Sequence, residues 1–207
     1  MSHKTLFRTF LSCLFLSSLF ISGFAQAAEQ RIGGFIGLSS DKVRVSGGGF
    51  SMSSGSSSSF ILGASYERDL AQFDIDNLYL QVDPTFYRPG KGSGKVSYLY
   101  VPVLAKYKFE EQFVERTTFS VLAGLSPRVK LSSADGADTK TFGLGLDFGG
   151  EAEHFLEGQD FSLFFGARYS LGLTNAFDSS GGEGSESFNY SIKFNSLQFM
   201  LGARMDF

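Results

Sequence analysis

The chain of 207 residues has one cysteine, no tryptophan and four prolines, and each scarcity removes a class of protein. A single thiol cannot build a disulfide scaffold. There is no excess of basic residues either, since the formal net charge is −3. That leaves no electrostatic footprint for nucleic acid, which needs a basic patch or stripe. No stretch after residue 27 approaches 18 consecutive apolar residues, so a transmembrane helix is excluded. The glycines follow no triplet repeat, and the 24 Phe with 8 Tyr are too many for a disordered chain. A mean hydropathy of +0.01 is that of an ordinary soluble domain, but an average cannot separate a buried core from apolar residues on every second position.

What is present begins with an address. Residues 1–27 combine Lys4 and Arg8, an apolar stretch from Leu11 to Ile21 and the small-x-small sequence Ala25-Gln26-Ala27, the pattern of a cleaved secretory signal peptide. Phe10-Leu11-Ser12 before Cys13 is a poor lipobox, so no lipidation is expected. Removing this segment leaves a domain over residues 28–207 with a formal charge of −5, no cysteine and one histidine, His154. Nothing staples that domain, so its stability must come from burial and hydrogen bonding.

The remainder alternates. From Asn77 to Tyr87, Leu78, Leu80, Val82, Pro84 and Phe86 oppose Tyr79, Gln81, Asp83, Thr85 and Tyr87, a period of two that marks a strand. The same period runs over residues 119–131, 142–148, 161–173 and 197–207, and more noisily over 31–38, 60–67 and 98–109. These make eight candidate strands. One face carries no charge in any of them. The other carries Glu67, Asp83, Lys106, Lys108, Arg128, Lys130, Asp147, Glu151, Arg168, Arg204 and Asp206, with glycines such as Gly63, Gly143 and Gly202.

Two architectures produce such strands, a soluble lipocalin-like barrel with the apolar face inward and a membrane barrel with it outward. Glycine on the polar face favours the second, because small residues suit the crowded bore of a narrow barrel and would only weaken a solvated strand. Connector lengths agree. Polar, Gly/Ser-rich links at 39–59 and 174–191, with shorter ones at 89–95 and 132–140, alternate with links at 70–76, 110–116 and 152–159, the expected division into outer loops and periplasmic turns. The reading is an all-β, eight-stranded antiparallel up-and-down transmembrane barrel in the outer membrane of a Gram-negative bacterium, both termini on the periplasmic side.

SYLYVPVLAKYKF (97–109), FSVLAGLSPRVKL (119–131), the Gly-Leu-Gly strand and ARYSLGLTNAF (167–177) together resemble the PorT-like outer-membrane β-barrel family. The small eight-stranded barrels of outer-membrane proteins A and X are similar in plan. The chain end, with Gly202, Met205 and Phe207, also resembles the carboxy-terminal signal read by barrel assembly machinery, with Met200 where that signal usually has a polar residue. The resemblance implies fold and location. Family members include structural, adhesive and secretion-associated proteins.

No chemistry is expected. Nucleophilic catalysis needs a positioned base, and His154 falls in the link read as a periplasmic turn, away from the outer leaflet where a lipid deacylase would use it. Metal sites with N/S donors need three or four ligands, and Asp135 with Asp138 lacks the spacing of a calcium loop. Gly90–Lys95 departs from a phosphate loop at Pro89 and Val96, and the Gly143, Gly145, Gly149 run misses the dinucleotide spacing by one residue with no helix after it. No cofactor is implied.

The polar face holds six cations against five anions, near the balance that pairing requires of buried charges. An eight-stranded bore is just wide enough to be filled by its own side chains, and Tyr79, Tyr87, Tyr98, Tyr100, Leu122, Phe164 and Met200 point into it. A plugged lumen is expected, and a structural or interaction role with it. The expected partners are outer-membrane lipid including lipopolysaccharide, the assembly machinery, and a surface partner through 39–59 and 174–191. A lipid-modifying enzyme, a small-solute channel and a soluble carrier barrel stay open.

Overall fold

The computed structural model describes residues 29–47, 50–53, 56–73, 75–88, 96–109, 114–133, 141–174 and 191–207. Residues 1–27, where the signal peptide is expected, lie outside them, as do Asp135, Asp138, residues 89–95 and most of 174–191. The strands are β1 (Gln30–Gly47), β2 (Phe50–Ser53), β3 (Ser57–Asp69), β4 (Leu78–Val82), β5 (Thr85–Tyr87), β6 (Val96–Tyr100), β7 (Val103–Lys108), β8 (Thr117–Ser133), β9 (Phe142–Phe155), β10 (Phe161–Gly172) and β11 (Ser191–Asp206). β2 with β3, β4 with β5, and β6 with β7 each act as one wall strand. Every neighbour is antiparallel, and β1 pairs with both β3 and β11, so eight wall strands close a barrel without an edge.

The interruptions are local. Pro84 and Pro102 supply no backbone N–H, so the ladder breaks at 83–84 and 101–102. Alternation runs straight through, with Gln81, Asp83, Thr85 and Tyr87 all buried, and likewise Tyr98, Tyr100, Pro102, Leu104, Lys106 and Lys108. The backbone bridges the gaps where Asp83 N–H donates to Pro102 O at 3.1 Å and Val101 N–H to Pro127 O at 2.9 Å.

Two expected links move. The link at 39–59 is mostly strand, because β1 continues to Gly47 and pairs with β2 as well as with β11 up to Ser46. A serine-rich sequence has little apolar signal, but the ladder needs only backbone. The link at 152–159 begins later, since β9 runs to Phe155 and the turn is Leu156 to Asp160. His154 is therefore the penultimate residue of a strand and not a turn residue. Glu29, Phe207 and the described residues of the short connections within 70–77, 109–116 and 156–160 lie at one end, the lower end. Asn77 and Arg116 at φ 62° and 57° and Gly158 at 66° reverse the chain there.

The apolar set faces outward, as Ile36, Leu62, Val121, Phe148, Phe165 and Leu201 all stand exposed. Aromatic contacts such as the stacked Phe165 and Phe199, with ring centroids 6.5 Å apart, cover this exterior. The barrel's packed interior is the polar set. Two glycines matter for its closure. The Phe35 ring on β1 lies where a Cβ on Gly63 would stand (2.4 Å), and the Phe164 ring on β10 lies where one on Gly202 would stand (2.5 Å). An aromatic ring laid over a cross-strand glycine fills the pleat that the glycine leaves open.

Candidate functional site: the charged lumen

Each lumen side chain is placed by strand parity and register, so residues far apart in sequence meet across the bore. At the lower end, Arg31, Glu67, Lys106, Lys108, Glu151, Glu153 and Arg204 form one cluster drawn from β1, β3, β7, β9 and β11. Lys106 Nζ lies 2.7 Å from Glu67 Oε2 and 2.5 Å from Glu151 Oε1. Arg204 holds Glu151 with both terminal nitrogens, at 2.5 Å and 2.9 Å, the forked geometry that makes such pairs strong. Lys108 Nζ reaches Glu67 Oε1 at 2.6 Å. Arg31 bridges Glu153 at 2.8 Å, Ser162 at 2.6 Å and the half-exposed Asp206 at 2.6 Å. Four cations thus meet four carboxylates, and with Asp206 at the rim the other seven are all buried.

Above this cluster the bore turns apolar. Phe35 and Phe164 meet edge-on at 6.3 Å in one buried cluster with Ile61 and Met200, and Leu104 and Leu122 are buried as well. The Arg204 guanidinium lies 3.9 Å over the Phe164 ring and so caps the apolar girdle from below.

The upper lumen is built differently. Asp41 on β1 accepts hydrogen bonds from Ser39 at 2.5 Å, Ser59 at 2.6 Å and the Tyr87 hydroxyl. Asp147 on β9 accepts from the Tyr100 hydroxyl and from Ser126 at 2.7 Å. Asp83 accepts from Arg168 at 2.5 Å and Gln81 at 2.8 Å, while Arg168 Nε and Nη1, Gln81 Oε1 and Asp83 Oδ1 carry no hydrogen bond. Tyr87 and Tyr100 pack ring to ring at 6.1 Å between these carboxylates.

The eleven charged residues read from the sequence therefore divide. Glu67, Lys106, Lys108, Glu151, Arg204 and Asp206 join the lower cluster; Asp83, Asp147 and Arg168 join the upper layer. Arg128 is buried against Gly143, and Lys130 is half-exposed towards the upper rim. Of the aromatic residues expected inside, Tyr79 is half-buried beneath Lys108, whose ammonium lies 3.6 Å over its ring.

Arg31, Asp41 and Glu153 were not among the expected charges. Arg31 shares the parity of Gly33 and Phe35 at the start of its strand, and Asp41 and Glu153 lie beyond strand ends drawn too short. Parity read from the first residue of its strand finds Arg31, and continuing the alternation three residues past Leu38 and five past Phe148 finds Asp41 and Glu153.

The carboxylates of Glu67, Glu151 and Glu153 converge within 4.8 Å, close enough to share a cation. The cations are already there, because Lys106 contacts all three. His154 is exposed on the barrel exterior at the lower end, its Nδ1 3.0 Å from Thr117 Oγ1. The terminal positions separate by parity: Gly202 lies under Phe164, and Met205 and Phe207 are exposed.

A family model described as outer membrane protein beta-barrel domain matches residues 24–178. No curated protein matches the chain. Among solved structures, Neisserial surface protein A is similar in fold, with 18% identity and a TM-score of 0.55 over 84% of this chain and 97% of that one. The N-terminal barrel domain of Pseudomonas aeruginosa OprF (12% identity, TM-score 0.45, 84% and 99% covered) and Ail of Yersinia pestis (17%, 0.43, 88% and 100%) are more distant.

Proposed function

The chain belongs to the outer membrane protein beta-barrel domain family, and on that premise we propose that it is an integral outer-membrane component of a Gram-negative bacterium, non-catalytic and non-conducting. In this reading its role is structural or interactive, and it is exported by a signal peptide over residues 1–27. The single observation that carries the closed bore is the lower ion cluster. Arg31, Lys106 and Arg204 span the lumen at no more than 1% side-chain exposure, each held by carboxylates from other strands. An ion or solute would have to break those pairs in a low-dielectric bore, at a cost of several kcal/mol per uncompensated charge. The apolar girdle above adds a second barrier.

The PorT-like resemblance is kept as a finer part of this reading. Gly202, Met205 and Phe207 present the assembly signal to the machinery that inserts the barrel. Interaction is assigned to the upper end through the β1–β2 hairpin within 39–59 and the 174–191 segment. Planar-bilayer recording of the refolded protein tests the closed bore: no stable conductance is expected, and large persistent openings would replace this reading with a channel. Mass analysis of lipid A from cells with and without the protein tests the absence of catalysis, an unchanged acyl pattern being expected.

A further inference from the structure

The register of β1 against β11 places Arg44 directly opposite Lys193, and Lys42 opposite Asn195 one pair below. All three cations share the outward parity of Leu38 and Leu197. Like charges directly opposite on one sheet face repel, so Arg44 and Lys193 cost stability unless an anion lies between them. Lys42 and Arg44 are exposed, and no carboxylate among the described residues shares this outward face at the upper end. The exposed carboxylates Glu29, Asp76, Glu115, Glu157, Asp160 and Asp206 all lie at the lower end, where the termini are. Below the cations on the same face, an open apolar groove of about 450 Å³ on the exterior is lined by Leu38, Phe60, Phe165, Phe199 and Leu201. Leu38 and Lys42 are four residues apart along β1, about 13 Å at the rise of a strand, a span that one acylated headgroup can bridge.

We propose that Lys42, Arg44 and Lys193 bind the phosphate of a phosphorylated, multiply acylated outer-leaflet lipid of the lipopolysaccharide type, one acyl chain of which lies in the groove below. The site rests on the outer-membrane reading and deepens it by locating one lipid on one face of the barrel. Charge complementarity selects the phosphate, and continuity with the groove selects a lipid over a free anion. Each cation near an anionic membrane surface contributes about fivefold in affinity.

The test places the full chain in phosphatidylcholine nanodiscs and titrates purified lipopolysaccharide, intact or stripped of phosphate. The K42Q/R44Q/K193Q variant is expected to bind at least about tenfold more weakly than the wild type, phosphate-stripped lipid to bind the wild type as weakly, and K42R/K193R to keep wild-type affinity. The R116Q control at the lower end is expected to bind as the wild type. Undiminished binding by the triple variant, equal binding of stripped lipid, or an equal loss in R116Q overturns the site. Displacement by millimolar inorganic phosphate overturns the choice of a lipid. A chain that does not insert, with no heat-modifiable band and no protease protection, overturns the outer-membrane reading itself. An inserted barrel indifferent to phosphate overturns only the site.

Discussion

The two ends of the lumen solve the same problem with different chemistry. Below the aromatic girdle, carboxylates meet guanidinium and ammonium groups in equal number. Above it, Asp41 and Asp147 are held chiefly by hydroxyls from serine and tyrosine, and Asp83 pairs with the single cation Arg168. The lower cluster is a network in which Lys106 and Arg204 each contact Glu67, Glu151 and Glu153, so removing one carboxylate leaves buried positive charge in excess. The upper layer is a set of nearly separate acceptors. Losing one hydroxyl there removes one hydrogen bond from a carboxylate that keeps others. The lower end is accordingly expected to be the rigid, all-or-none part of the bore and the upper end the tolerant one.

The largest effect should come from Glu151→Ala, which removes the nearest carboxylate that Lys106 and Arg204 share and leaves one buried cation of the cluster uncompensated. About 3 to 5 kcal/mol of stability should be lost, read as a lower denaturant midpoint for the folded, heat-modifiable band, and a loss no greater than for an upper-layer variant would end the distinction. Asp147→Asn comes next. It keeps the shape but replaces an ionic acceptor for Tyr100 and Ser126, and about 1 to 3 kcal/mol should go. Tyr87→Phe removes one of three hydroxyls on Asp41 and should cost about 0.5 to 1.5 kcal/mol. Asp41→Ala in the same background should then cost less than it does alone, as coupled groups do.

The smallest effect belongs outside the bore. At the lower rim Arg116 donates to Glu157 at 2.7 Å, and this bond holds the fully exposed Glu157 carboxyl below its ordinary range. Because the folded value is the lower one, the contribution is present at neutral pH and fades only as pH falls through that depressed value. Exposed pairs contribute little, so Glu157→Gln should leave the midpoint at neutral pH unchanged. A measurable drop would move the rim into the same class as the lower cluster.

Much of this was legible from period alone. The outward set from Ile32 to Met205 and the inward set from Glu67 to Arg204 need only the alternation of side chains along a strand. What period could not supply was where strands end. Ser39 to Ser59 reads as loop because serine and glycine carry no apolar signal, yet backbone pairing carries β1 to Gly47 and brings Asp41 into the bore. Ala152 to Phe155 reads as turn because Glu153 and His154 are polar, and that polarity belongs to the lumen and to the rim. Register was also out of reach, and with it the division of one charged face into two layers. The overlay of Phe35 on Gly63 is likewise a matter of register: each residue could be assigned a face, but not a partner.

The lower cluster has a further consequence for how the barrel comes to exist. Its members lie on the first strand, the last strand and three between, and the bond from Arg31 to Asp206 spans 175 positions of the chain. The bond from Arg31 to Asp206 cannot form until the first and last strands have met. An unclosed sheet entering the bilayer would carry bare guanidinium and carboxylate groups into hydrocarbon, a state disfavoured by several kcal/mol. Closing the cylinder and completing its buried charge pairing are therefore coupled: an open sheet leaves Arg31 without Asp206, and the full set of pairs exists only in the shut barrel.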